Sequence, residues 1–301
     1  LRHFYCYIIL CLAVSSSLFS QSKFNAFLKP SDSLNKQRRN TVVISEITLA
    51  TTTLIALNQL WYEDYPRSSF KTINDSEEWL QMDKMGHVFS SYQLGTVGAN
   101  ALSWAGVSKK NQLLYGATLG LGFLTAVELM DGFSEEWGFS WTDMAANITG
   151  TGLYVGQELL WEEQRILLKY SFHRTHFAEQ RPDKLGNGFS EEFLKDYNGQ
   201  TYWLSANINS FLKIDGFPNW LNFAFGYGAD GMLTGEPSDP LFLNQDRKRQ
   251  YYLSLDLDLS RIKTNSRFLK TVFSVFNVIK VPFPALELNS KGRVNLHYLY
   301  F

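Results

Sequence analysis

Three stretches poor in charge carry side chains able to do chemistry. They are Asp83, Lys84 and His87 in WLQMDKMGHVFSSY, Glu128 and Asp131 in LTAVELMDGFSEEWGFSW, and Asp143 and Asn147 in WTDMAANITGTG. Asp83 and His87 are four residues apart, so on a helix they share one face. Three chemistries suit such a set. His87 with Asp83, Glu128 or Asp143 offers imidazole and carboxylate ligands to a divalent metal, although no HExxH motif or second histidine accompanies them, and no metal or cofactor is assigned. Alternatively, His87, Asp83, Glu128 and Asp143 form a catalytic set in which a carboxylate orients the histidine as general acid or base toward an ester or phosphate. The third reading is a structural or ligand-binding polar network: Asp83 and Asp143 cap helix N-termini, Lys84 pairs with Glu128 or Asp131, and His87 completes the hydrogen bonds with Asn147.

The elements that must position these residues are helical. Uncharged runs rich in glycine, alanine, serine and threonine predict helices over Lys84 to Val107, Gln112 to Met130 and Trp141 to Trp161, with short connections that make neighbours antiparallel. Asp83 and His87 then open the first, Glu128 and Asp131 close the second, and Asp143 and Asn147 open the third, so all gather at one end of a bundle. Asn147, Gly150 and Gly152 mark a close helix crossing. A fourth helix is expected over Thr41 to Tyr62, long enough to cross a bilayer but carrying Glu46 and Asn58. A membrane-associated bundle is the favoured reading.

The chain opens on LRHFYCYIILCLAVSSSLFSQS, a short basic start, an apolar run and small residues, which predicts a secretory signal peptide over residues 1–20. An uncleaved membrane helix is the alternative. Both cysteines, Cys6 and Cys11, lie here, and Ile8, Ile9 and Leu10 before Cys11 argue against lipid attachment. Residues 21–40 read as a linker, 41–180 as the bundle and 181–301 as an antiparallel β region, giving an α+β fold with about four helices and four to five strands. The period becomes two beyond residue 200. In YYLSLDLDLS, Leu253, Leu255, Leu257 and Leu259 alternate with Ser254, Asp256, Asp258 and Ser260, which predicts an apolar face and a wet one. FLKTVFSVFNVI, from Phe268 to Ile279, has the spacing of an amphipathic helix that covers the sheet or lies in a membrane interface. His173 and His176 near Glu179 read as solvent-facing, His297 as a strand residue beside aromatics, and GYGADG as a hairpin end.

The net charge of −1 argues against a nucleic-acid partner, and 15% aromatic residues together with an export signal point to the cell envelope. The order DKMGH, then VELMDGFSEEWGFSWTDMAANITGTG, resembles the VanZ-like pattern: Asp-Lys-x-x-His opening a helix, a Glu closing another, and Asp-x-x-x-Asn-x-x-Gly in a third. Over Trp79 to Gly156 the chain is similar to the YfiM-like family of uncharacterised envelope proteins, described as predicted periplasmic lipoproteins. Relative to VanZ it has Asp131 where a glutamine is usual and no arginine in the following loop. The resemblance implies a location at the outer membrane or the periplasmic face of the envelope. The favoured function is a non-enzymatic envelope component binding membrane lipid, glycan or an outer-membrane protein partner. The alternative is a hydrolase or transferase acting on an envelope lipid or glycan.

Overall fold

A computed structural model describes residues 25–62, 65–240 and 245–301. The expected signal peptide, with Cys6 and Cys11, lies outside the described residues. Four long helices occupy the N-terminal half: α1 (Lys36–Leu57), α2 (Met82–Trp104), α3 (Leu119–Gly132) and α4 (Trp141–Trp161). The Asn35 side chain accepts from the Arg38 N–H at 3.0 Å and starts α1, which runs on as a wider turn through Asn58–Tyr62. α1, and the helical stretch Lys109–Gly132 that contains α3, are long and apolar enough to cross a membrane by length and composition.

α2 is the central helix and packs against both α3 and α4. Backbones touch where side chains vanish. A Cβ on Gly150 would lie 2.1 Å from the Val88 carbonyl oxygen, so α4 can cross α2 at this depth only without a side chain there. Gly152 has nothing within 4 Å of its would-be Cβ, so the crossing rests on Gly150 and not on the pair expected from sequence.

The C-terminal half is an antiparallel sheet of six strands in sequence order: β3 (Ile166–Phe172), β4 (Gln200–Asn207), β5 (Leu221–Asp230), β6 (Lys248–Leu257), β7 (Phe283–Asn289) and β8 (Val294–Tyr300). Two more than the minimum expected are present, and both additions have a reason. β3 follows α4 at once and carries Lys169 at its centre, while β7 begins amid prolines and carries Glu287. Their charges face the inside of a curled sheet. Lys169 and Asp256 are both 0% exposed and pair at 2.8 Å, and Ser205 Oγ donates to Asp256 at 2.7 Å. The predicted wet face of β6 is therefore inverted: Ser254, Asp256 and Asp258 are buried, whereas Leu253 and Leu255 are bare.

Curling is completed by residues 278–280, which run parallel to β3, with the Tyr170 N–H donating to Val278 O and the Lys280 N–H to Tyr170 O, both at 2.9 Å. Trp203, Tyr252 and Tyr300 fill the interior, the last two with ring centroids 4.4 Å apart. The opposite face of β3 and β4 presents Tyr170, Phe172 and Tyr202 to Met82 and Phe89 of α2, which docks the bundle on the sheet. α5 (Arg267–Phe276) is the amphipathic helix expected between the last strands. A two-residue parallel pair, β1 (Thr72–Ile73) with β2 (Phe139–Ser140), ties the loop before α2 to the start of α4.

Candidate functional site

Three left-handed residues in succession, Trp79, Leu80 and Gln81 (φ 46°, 50° and 64°), deliver the chain into α2. Such a run is unfavourable for residues with a Cβ and is held by tertiary contacts. Trp79 N–H donates to Gly235 O at 3.0 Å, the Tyr227 hydroxyl donates to Leu80 O, and Arg249 donates to Gln81 Oε1 at 2.7 Å. Asp83, Lys84 and His87 follow on the first turns of α2.

Lys84 is the hub. Its Nζ lies 2.5 Å from Asp75 Oδ2, 2.7 Å from Asp143 Oδ1 and 3.1 Å from Asp83 Oδ2, joining the loop, α4 and α2. It does not pair with Glu128 or Asp131, as the sequence had suggested. Glu128 instead accepts the Ser140 N–H at 3.1 Å, and Asp131 accepts the Tyr62 hydroxyl at 2.6 Å. Nor do the aspartates cap the helices by their side chains: Ser140 Oγ accepts the Asp143 N–H at 3.1 Å and caps α4, and α2 has no side-chain cap.

His87 occupies the next turn. Its Nδ1 is 3.0 Å from Asn147 Oδ1, so with that oxygen as acceptor Nδ1 carries the proton and donates. Nε2 is left facing Asp83 Oδ1 at 3.8 Å, Glu128 Oε1 at 3.7 Å and Asp143 Oδ1 at 3.9 Å, all beyond hydrogen-bond reach. The expected convergence at one end of the bundle is thus observed for Asp83, Lys84, His87, Glu128, Asp143 and Asn147. Asp131 sits beside them, engaged with Tyr62.

The electrostatics follow from one cation shared among three carboxylates. Burial alone would raise Asp83 and Asp75, but His87 and Lys84 hold Asp83 below the usual carboxylate range, and Lys84, Ser140 and Thr142 do the same for Asp75. Asp143 goes the other way: burial and the Asp83 charge raise it against the pull of His87 and Lys84. Burial would lower His87, yet Asp83, Asp143 and Glu128 outweigh it and hold the imidazole above its ordinary value. Likewise Lys84, opposed by burial, is held protonated by Asp83 and Asp143. Ligand atoms of Asp83, His87 and Asp143 lie within 4.8 Å of one another, close enough to share an ion. The Lys84 ammonium already supplies counter-charge to both aspartates, which suits the set to a hydrogen-bonding ligand better than to a divalent cation.

Beside Asp83 and His87 opens a cavity of about 430 Å³ between α2 and the sheet. Phe89, Leu124, Phe193, Val278 and Ile279 make its walls largely apolar, and Tyr170, Tyr197 and Tyr202 add hydroxyls. Asp83 and His87 are the charged groups of the lining. Tyr197 donates to Asp83 Oδ1 at 2.8 Å and fixes that carboxylate at the cavity wall.

Sequence reasoning missed Asp75, Tyr62, Thr142 and Tyr197 as members of the site. The Ser-x-x-Asp spacing of Ser140 and Asp143 is a helix-start signal that would have placed Ser140. Nothing local could have found Tyr197, 114 residues from Asp83. Of the other candidates, His173 and His176 are exposed as expected, His297 Nε2 lies 2.7 Å from Glu287 Oε2 inside the sheet, and GYGADG ends β5 at a turn on Gly231 (φ 82°).

With this geometry in hand, comparison with known proteins gives one finding. Residues 73–157 match the model of a family described as predicted periplasmic lipoprotein (DUF2279). The matched stretch holds Asp75, Asp83, Lys84, His87, Glu128, Asp131, Asp143 and Asn147, and ends before the sheet begins. No curated protein and no solved structure matches the chain.

Proposed function

We propose that this is an exported cell-envelope protein that binds an amphiphile, without turning it over, in the cavity between α2 and the sheet. The observation that carries the reading is the cavity itself. Its walls are aliphatic and aromatic, and its two charged groups, Asp83 and His87, are held in place by Tyr197, Lys84 and Asn147. A concave, mostly apolar site with a few fixed polar groups is the form small-molecule sites take. The apolar part of a lipid would lie along Phe89, Phe193 and Leu194, and a hydroxyl or ammonium on its head group would donate to Asp83. Similarity of residues 73–157 to a periplasmic lipoprotein family supports the envelope location. The VanZ-like and YfiM-like resemblance of the DKxxH, Glu and DxxxN elements agrees with it.

The test is to purify the full chain from membranes, extract it with organic solvent and quantify co-purified lipid by mass spectrometry, beside Leu194→Trp, which fills the cavity from a largely exposed position. Near-stoichiometric lipid in the wild type, lost in the variant, is expected. Equal lipid in both sinks the proposal.

One observation favours the enzymatic alternative. Asn147 pins Nδ1 of His87 and leaves Nε2 open beside the cavity, the arrangement a general base requires. No Ser or Cys side chain is bonded to Nε2 among the described residues, so a catalytic His87 would activate water or a substrate hydroxyl, with Asp83, Glu128 and Asp143 balancing its charge. Turnover of a lipid ester by the wild type that vanishes in His87→Gln, while lipid binding persists, would establish it.

A further inference from the structure

The sheet is built the wrong way round for water. Across it runs a registered row of apolar residues, Leu168, Leu204, Phe225, Leu253, Leu286 and Leu296, one from each strand. α2 and its neighbours cover the row only at β3, where Leu168 is buried. Leu204 on β4 is already 40% exposed, and over β5 to β8 the row lies bare: Phe225 is 41% exposed, Leu253 43%, Leu286 44% and Leu296 61%. On the other face Ser171, Thr201, Ser205, Asn222, Asp256 and Glu287 are buried. An antiparallel sheet beside water puts polar residues outward, and the reverse pattern belongs to sheets whose outer solvent is hydrocarbon.

One end of this face has the chemistry of a lipid head-group boundary. There β3 begins, β4 turns into β5 through residues 208–220, and β6 ends. At that end the Arg165 guanidinium sits over the rings of Trp161 and Phe211, at 5.0 and 5.8 Å. Arg165 also pairs with Glu163 at 2.7 Å. Trp220 is exposed in the β4–β5 connection, which carries Lys213 and Asp215, and Lys263, Arg267 and Lys270 follow before and on α5. α5 begins and ends at this rim, tied by Asn277 Nδ2 donating to Asp258 Oδ1 at 2.9 Å, and it exposes Leu269, Val275 and Phe276. Aromatic and basic residues bounding an apolar surface, with an amphipathic helix alongside, complement anionic head groups.

We propose that the bare outer face of β5 to β8, with α5 at its rim, is immersed in the hydrocarbon of a bilayer whose anionic head groups meet the basic end. The occupant is lipid, not a second copy of the chain: a protein partner would account for the apolar face but not for the basic and aromatic rim. The proposal is independent of what the α2 cavity binds.

Single cysteines at Phe225, Leu253 and Leu286, and one at Ser290 beyond the end of β7, are introduced into the full chain with Cys6 and Cys11 changed to serine. Each is spin-labelled and reconstituted into vesicles of phosphatidylethanolamine and phosphatidylglycerol at three to one. Accessibility to oxygen and to a water-soluble nickel chelate is then read by electron paramagnetic resonance. The expected result is oxygen accessibility several-fold above that of the chelate at all three outward positions, reversed at Ser290. Outward labels reached by the chelate as readily as Ser290 mean that the face is in water, and labels shielded from both probes mean that protein covers it. Either outcome overturns the proposal. Three separate positions guard against one variant misfolding, checked by an unchanged circular dichroism spectrum.

Discussion

Replacing Lys84 by methionine tests the site most directly, because it removes the one ammonium that two buried carboxylates and the partly exposed Asp83 share. Its side chain is 12% exposed, and those of Asp75 and Asp143 are 8% and 6% exposed. At separations of 2.5, 2.7 and 3.1 Å, each contact is worth roughly 5–7 kcal/mol of gross Coulomb energy at an effective dielectric constant near 20. Desolvation offsets most of that in the intact network. Removing one partner strands the others, and the net loss for a broken buried pair is about 3–5 kcal/mol. In a chain of this size that corresponds to a fall in Tm of roughly 6–10 °C. The deficit should depend on pH. Without the cation, the folded-state pKa values of Asp75 and Asp83 rise above the unfolded value of about 3.9 and that of Asp143, already raised, climbs further, so these groups favour the folded state at low pH and lose that contribution as pH rises. The gap between variant and wild type is therefore expected to be smallest near pH 5 and to widen toward pH 8. Adding Asp75→Asn, which keeps an acceptor for Ser140 and Thr142, should recover part of it. Melts followed by circular dichroism at the two pH values decide the matter. A loss below about 1 kcal/mol, equal at pH 5 and pH 8, would falsify the account of Lys84 as the shared counter-ion.

Other perturbations reach different parts of the molecule. The raised folded pKa of His87 contributes stability that is lost as pH climbs above the unfolded histidine value of about 6.5, and that of Asp143, raised to about 8, contributes stability lost from the unfolded aspartate value of about 3.9 upward, so Tm should fall from pH 6.5 to 9, with a shallower slope in His87→Gln. Gly150→Ala forces a Cβ to 2.1 Å from Val88 O and should cost about 1–3 kcal/mol or more by denaturant titration, while Gly152→Ala, with open space around it, should gain up to about 1 kcal/mol. If the two behave alike, the close helix crossing is not what Gly150 serves. Lys169→Met takes from Asp256 its ion-pair partner, leaving it the hydrogen bonds from Ser205 Oγ and the Val281 N–H, and should lower stability by about 3–5 kcal/mol, whereas a loss within about 0.5 kcal/mol would mean that water reaches this interior.

Much of the bundle was legible because helices write their register locally. Uncharged runs fixed the extents of α2 and α4 within a few residues, and the spacing of Asp83 and His87 put both on one face. Short connections made neighbours antiparallel, and that alone brought Glu128 and Asp143 to His87. Who pairs with whom was not legible. Lys84 could have met Glu128 or Asp131 by helix geometry. It met Asp75 instead, because the β1–β2 pair draws residues 72–75 against the start of α4, and Asp83 took its hydroxyl partner, Tyr197, from 114 residues away.

The sheet divides the same way. Alternation in YYLSLDLDLS determined that leucines and aspartates face opposite ways, since successive side chains in a strand must. Which side is inside belongs to the tertiary structure alone. A period of two is symmetric between the faces, and only the pairing of residues 278–280 with β3 curls the sheet around its polar side. That curl buries Asp256 against Lys169, turns Leu253 outward, and places Tyr170 and Tyr202 across the cavity from His87.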